Sequence, residues 1–187
     1  MHTSAVITFL ATCAVIAQVF VATIVILYIV GQFIPVARNA LNDLRVILDG
    51  QTLWLAALVA VVATCGSLYF SEVAHFPPCK MCWYQRIAMY PLAPMLVLAA
   101  WRRDRGIKPY VILQAGIGAL ISIYHIAIEI HPSFENSRTC NFDVPCSTEW
   151  FVRFHYLTIP RMALTGFVLI IVLMLLTRER SLDETRS

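Results

Sequence analysis

The chain carries six cysteines, and four of them fall as two pairs outside the apolar blocks. The first pair sits in Phe76-Pro77-Pro78-Cys79-Lys80-Met81-Cys82-Trp83-Tyr84-Gln85-Arg86. Two prolines block helix continuation before Cys79 and suit a helix start just after it. Cys82 then falls in the first turn of an apolar segment. Thiolates are the reactive form of cysteine, and helix N-termini and nearby cations favour them. Arg86 follows Cys82 by one helical turn, so its guanidinium is expected beside the Cys82 sulfur. A C-x-x-C is also half of a common zinc site, and an arginine at an interface can simply snorkel. The placement at the mouth of an apolar segment, with an arginine one turn deeper, favours redox chemistry.

The second pair lies in Cys140-Asn141-Phe142-Asp143-Val144-Pro145-Cys146, within a polar stretch from His131 to His155. A disulfide here would close a small exposed ring, and exposed disulfides are the exchangeable ones. A structural staple is the plain alternative. Two exchangeable pairs on one side of a membrane make a relay. An arginine at a lipid boundary needs a partner. A thiolate is one, and a quinone oxygen, which gains negative charge as electrons arrive, is another. His125 and Glu129, one turn apart near the end of an apolar segment, suit a quinone contact or proton transfer, with Glu129 orienting the histidine. Trp150, Phe151 and Phe154 suit an interfacial segment or an aromatic belt.

These residues need a scaffold, and the composition indicates which kind. Of 187 residues, 59% are hydrophobic and 13% charged, where a soluble domain carries about 25% charged residues. Charge is missing from long blocks and crowded between them, a membrane pattern. A net charge of +3 gives no reason to expect a nucleic-acid partner. Five stretches approach the length of a spanning helix: Ala5–Val30, Leu53–Phe70, about Cys82–Trp101, Tyr110–Ile130 and Tyr156–Thr177. In lipid each must be helical to satisfy its backbone. The first has no Lys or Arg ahead of it and is too long for a signal-peptide core, so it is read as a retained span. Pro91 and Pro94 are expected to bend the third. Ala37, Leu41, Leu44 and Leu48 recur at helical spacing and predict an amphipathic helix on the membrane surface.

Lys and Arg fix the orientation. One set of connections holds nine (Arg38, Arg45, Arg102, Arg103, Arg105, Lys108, Arg178, Arg180, Arg186). The other holds five (Lys80, Arg86, Arg138, Arg153, Arg161). The richer set is expected in the cytoplasm. The N-terminus and both cysteine pairs then face outward, and the C-terminus faces inward.

The run Cys79–Arg86, followed by Tyr90-Pro91-Leu92, resembles the DsbB disulfide-formation proteins, most of all their shorter BdbC-like branch. The resemblance covers about residues 53–177. It implies an all-α polytopic membrane protein with an antiparallel four-helix bundle (52–177); this sequence departs from the family in an extra N-terminal span and linker (1–51), and residues 178–187 are expected to be a cytoplasmic tail. It implies a thiol oxidase of the bacterial inner membrane that reoxidises an extracytoplasmic thioredoxin-like dithiol oxidase and passes electrons to the quinone pool, as ubiquinone or menaquinone. Cys82 would adjoin the quinone, with Arg86 and His125 as quinone contacts. Cys79 would exchange with the second pair. Cys140 would be attacked by the partner, with Cys146 as its mate. No metal is required. A vitamin K epoxide reductase-like enzyme and a structural zinc module are the alternatives.

The sidedness is directly testable. A phosphatase reporter that is active only outside the cytoplasm is expected to be active when inserted after His155 and silent after Arg103. The reverse pattern would place the cysteines on the reducing side and end the redox reading.

Overall fold

A computed structural model describes residues 2–135, 140 and 144–177. The tail assigned to 178–187 lies outside them, as do Arg138, Arg178, Arg180 and Arg186 of the charge argument. Seven α-helices form among the described residues: α1 (His2–Val30), α2 (Pro35–Leu48), α3 (Thr52–Leu68), α4 (Lys80–Met89), α5 (Leu92–Arg102), α6 (Lys108–Ile130) and α7 (Ile159–Leu176). A π-helical turn, Tyr69–Val73, continues α3. Among these residues no strand forms, only an isolated bridge between Arg153 and Leu157. The architecture is the all-α one expected.

Four segments are long and apolar enough to cross a membrane: Thr3–Val30, Thr52–Val73, Arg105–Ile130 and Ile159–Leu176. The expected span near 82–101 is divided instead. α4 and α5 meet at Tyr90-Pro91, and neither half reaches spanning length alone. Proline has no N–H to continue the ladder. The turn is closed by tighter bonding, from Ala93 N–H to the Tyr90 carbonyl at 3.3 Å. Pro94 falls in the first turn of α5, where a missing donor costs nothing.

α3, α4–α5, α6 and α7 form the antiparallel bundle, with α3 against α5 and α7, and α6 against α4 and α7. Ala56, Ala57, Ala60, Leu92, Leu96, Val111, Ala115, Phe167, Ile170 and Met174 make its core. Small residues let helix backbones approach closely where lipid offers no hydrophobic drive. Gly118 of α6 is the tightest case, since a Cβ there would lie 2.3 Å from the fully buried Phe167 ring of α7. At one end of the bundle, the Thr177 hydroxyl donates to Thr52 at 2.9 Å and joins α7 to α3. The cysteines lie at the other end.

α1 packs along α7 through Ala11 and Ala14, beside Leu157 and Met162. α2 has the predicted periodicity, but its apolar stripe meets protein rather than lipid. Leu41 is buried against Ile24 and Leu176, with Leu44 and Leu48 alongside. The ends of α1 and α7 supply an apolar surface within reach of α2. The Arg105–Asp49 ion pair, at 2.9 Å, holds the segment after α2 to the α5–α6 turn. The side that α2 leaves exposed includes Val36, Val46 and Ile47.

Because Phe167 has no room to retreat, Gly118→Ala is expected to lower stability by about 1–3 kcal/mol. Reversible unfolding in mixed detergent micelles measures it. Wild-type stability would mean that the α6–α7 contact is looser than described.

Candidate functional site

The prolines shape the site first. Behind Pro77-Pro78, Cys79 is extended (φ −69°, ψ 171°) and becomes the N-cap of α4. Its sulfur accepts the Cys82 backbone N–H at 3.3 Å. Serine or aspartate oxygen commonly plays this capping role; here a thiol sulfur does. The two sulfurs of the pair lie 2.9 Å apart. Nε2 of His125, from α6, lies 3.6 Å from the Cys79 sulfur and 3.1 Å from the Cys146 carbonyl.

Cys79 precedes the first residue of α4. Its thiol is lowered to about 5, against about 8.5 for a free cysteine. The hydrogen bond from the Cys82 thiol contributes most, and His125 and the Cys82 N–H add to it, while burial opposes them. The expected anion of the pair was Cys82. Geometry favours Cys79, because the N-cap and not the third helical residue receives the donors.

Cys140 and Cys146 form a disulfide. Both are buried, in one cluster with Cys79, Met81 and Ile128, and with Cys82 and Val144 against it. The disulfide itself is therefore not the exposed one the sequence suggested. Glu135 holds it in place: one carboxylate oxygen accepts the Cys146 N–H at 2.7 Å and the other the Ser147 hydroxyl at 2.8 Å. Asn141, Phe142 and Asp143 lie outside the described residues.

Beside the sulfurs lies a cavity of about 320 Å³, within the usual range for small-molecule sites. Its wall is mostly apolar, with Leu58, Val62, Met89, Phe167 and Leu169 among the lining residues. The polar groups are few: Ser67, Gln85, Arg86, Tyr90 and Thr165. Of the four paired cysteines only Cys82 lines it. An apolar chamber with a few polar groups suits a lipid-soluble ring with polar oxygens.

Arg86 lines this cavity, but its hydrogen bonds do not go to Cys82. Nε donates to the Ser67 hydroxyl and a terminal nitrogen donates to the Ser67 carbonyl, each at 3.0 Å. The guanidinium carbon also lies 5.3 Å from the Trp83 ring centre. The Tyr90 hydroxyl meets Ser67 at 3.2 Å. A planar fork needs acceptors in its plane, and Ser67 of the neighbouring helix offers two. His125 is absent from the cavity lining and sits among the sulfurs. Glu129 does not reach it by hydrogen bond, and accepts instead from the Thr158 hydroxyl at 2.8 Å. Nδ1 of His125 is buried without a hydrogen-bond partner among the described residues.

Trp150 and Phe151 turn inward rather than toward an interface. Trp150 stacks on Phe76 at 5.3 Å and Phe151 meets Phe70 at 5.5 Å. Phe70, Phe76 and Trp150 line the cavity. Phe154 is half exposed. Ser67, Thr165 and Glu135 carried no signal in sequence, because an isolated polar residue has no periodicity or motif to reveal its partner; Gln85 and Tyr90 stood in the run that carries the resemblance, but without a role. The ligand atoms of Cys79, Cys82 and His125 lie within 4.8 Å of one another, close enough to share a metal ion.

Comparison with known proteins follows from this geometry. Residues 50–177 match the family model described as "Disulfide bond formation protein DsbB". The chain is 46% identical over 130 residues to disulfide bond formation protein C of Bacillus subtilis, covering 69% of this chain and 94% of that protein. It is 41% identical over 137 residues to a probable disulfide formation protein of Deinococcus radiodurans, covering 68% and 89%. With one from Coxiella burnetii it shares 37% over 139 residues, covering 74% and 94%. No solved structure matches.

Ultraviolet thiolate absorbance, with Cys79→Ser as the blank, is expected to report a Cys79 anion above about pH 5, lost as pH falls through that value. In His125→Ala the midpoint should rise but stay below the ordinary range, because the larger contribution from the Cys82 thiol remains. A midpoint near 8.5 in the wild type would refute the arrangement.

Proposed function

The chain belongs to the DsbB family of disulfide bond formation proteins, and from that premise we propose that it is a membrane thiol:quinone oxidoreductase. The family assigns thiol oxidoreductase chemistry in disulfide formation. The finer reading is ours. A thioredoxin-like partner delivers electrons from outside the cytoplasm, and the net reaction turns a partner dithiol and a quinone into a disulfide and a quinol.

One observation carries the reading. Cys82 packs against the buried cluster that holds Cys79, Cys140 and Cys146, and also lines the apolar cavity. A partner thiolate attacks the Cys140 sulfur, forming a mixed disulfide and releasing the Cys146 thiolate. The partner's second thiol resolves it, leaving Cys140 and Cys146 as thiols. One of these attacks Cys79 in a Cys79–Cys82 disulfide, and the other resolves the mixed bond. The outer pair is then a disulfide again and the inner pair holds two thiols. Hydrogen bonds to the Cys79 sulfur stabilise its thiolate, which favours the reduced inner pair and draws electrons inward. His125 touches Cys79 and the Cys146 carbonyl, and is assigned to positioning and protonating the sulfurs during exchange rather than to holding the quinone.

A quinone in the cavity supplies a two-electron, two-proton acceptor. Arg86, Gln85 and Tyr90 are the residues that would hold its oxygens, and Ser67 fixes the guanidinium in place. Cys79 and Cys82 re-form their disulfide, giving up two electrons and two protons. The fixed cation beside Cys82 favours negative charge arriving in the cavity.

The cluster of Cys79, Cys82 and His125 is the one observation that favours a zinc module instead. Two measurements separate the readings. Cys82→Ser is expected to abolish quinone reduction by a reduced thioredoxin-like protein while a single exchange with Cys140–Cys146 survives. Arg86→Gln is expected to lower turnover about 100-fold. Full activity in Cys82→Ser, or stoichiometric zinc that blocks thiol titration of the purified protein, would overturn the oxidoreductase.

A further inference from the structure

The family match begins at residue 50, so α1 and α2 lie outside it. The match takes in 94% of the B. subtilis relative, which leaves no room there for counterparts of helices of 29 and 14 residues. Yet α1 is not a detached anchor. Leu10, Cys13, Ala14 and Ala17 line the large cavity. Their spacing of three, four and seven residues is one face of a helix, so the cavity lies along a continuous strip of α1.

The strip is held in place by specific bonds. The Gln18 amide donates to Thr165 of α7 at 3.0 Å, and its oxygen accepts from the Tyr156 hydroxyl at 2.6 Å. Both ends of one amide are therefore used between α1 and the α7 region. Polar groups between helices in an apolar medium fix register in this way. Nearer the start of α1, Arg153 donates to the Ser4 hydroxyl at 2.7 Å. On the far side Leu10 reaches α3, where a Cβ on Gly66 would lie 3.0 Å from a Leu10 methyl. α1 is pinned to α7, touches α3, and spans the gap between them beside the cavity.

The geometry points to α1 as a wall of the quinone site and a determinant of which quinones enter it. This rests on reading the cavity as the quinone site. Three of the four wall positions are small, with Ala14 and Ala17 facing the chamber beside Cys13, and Leu10 is the exception. A bound ring or its first tail units would lie against them, so side-chain volume at 14 and 17 sets the width available. The bundle of 52–177 would then be chemically complete but open on the side that α1 covers.

The test uses the full chain in detergent. An azido-substituted short-tail benzoquinone is photoactivated on the wild type and adducts are mapped by mass spectrometry. Adducts are expected within residues 10–17 as well as on α4. Adducts on α3, α4 and α7 alone would overturn the role of α1 while leaving the cavity reading intact. Adducts on none of the cavity helices would overturn that reading, and this inference with it. In parallel, Ala17→Phe is expected to raise the quinone KM about tenfold or more, more for a naphthoquinone than for a benzoquinone, with unchanged exchange between a dithiol partner and Cys140–Cys146. Ile16→Phe, on the exposed face of α1, is expected to behave as wild type. Equal kinetics for Ala17→Phe and Ile16→Phe would overturn the inference.

Discussion

A backbone N–H pointing at a sulfur organises this protein. Pro77 and Pro78 stop α3 and its π turn from running on, and leave Cys79 extended at the head of α4. The first donors of a helix have no partner within the helix, and the Cys82 N–H finds the Cys79 sulfur. That bond places the two thiols side by side. It turns Cys79 toward His125 and the second pair, and sets Cys82 against the cavity. A proline-free approach would let the helix start earlier and turn both sulfurs to other faces.

The site is a junction between two media. Cys79, Cys140 and Cys146 lie in a buried cluster with Cys82 packed against it, and Glu135 holds Cys146 in place. The cavity next to it is almost wholly apolar. Only a residue that touches both can pass electrons between them, and Cys82 has that position. Arg86 is expensive in such a place, and Ser67 answers the cost by accepting two of its hydrogen bonds. The guanidinium then keeps a fixed position beside the chamber. The division of α4 from α5 at Pro91 has the same logic. α4 packs mainly on α6 and α5 mainly on α3, which lets α4 serve the site and α5 the core.

The proposed relay needs a downhill exchange from the outer pair to the inner one, and the charge distribution offers it. A thiolate on Cys79 stabilises the reduced inner pair, so electrons move inward from the outer loop. His125, buried between Cys79 and the Cys146 carbonyl, is within reach of both pairs. Glu129 anchors to Thr158 at the start of α7 and leaves the histidine to the sulfurs. Thus two ionisable residues one turn apart serve different neighbours, which their spacing alone would not suggest.

The sequence by itself determined the all-α membrane architecture, since apolar length and a backbone with no other donors or acceptors in lipid allow little else. It determined the start of α4 through Pro77-Pro78 and a bend near Pro91. These are local effects, written in spacing and in proline's missing N–H. Tertiary structure alone decided which sulfur caps the helix and attracts the histidine, and that Arg86 bonds Ser67, nineteen residues away on another helix. It decided that Trp150 and Phe151 fold inward onto Phe70 and Phe76, that the α2 stripe meets protein, and that α1 borders the cavity. A single apolar helix reads the same whether it faces lipid or a chamber, because both are free of water; only the positions of its neighbours tell them apart.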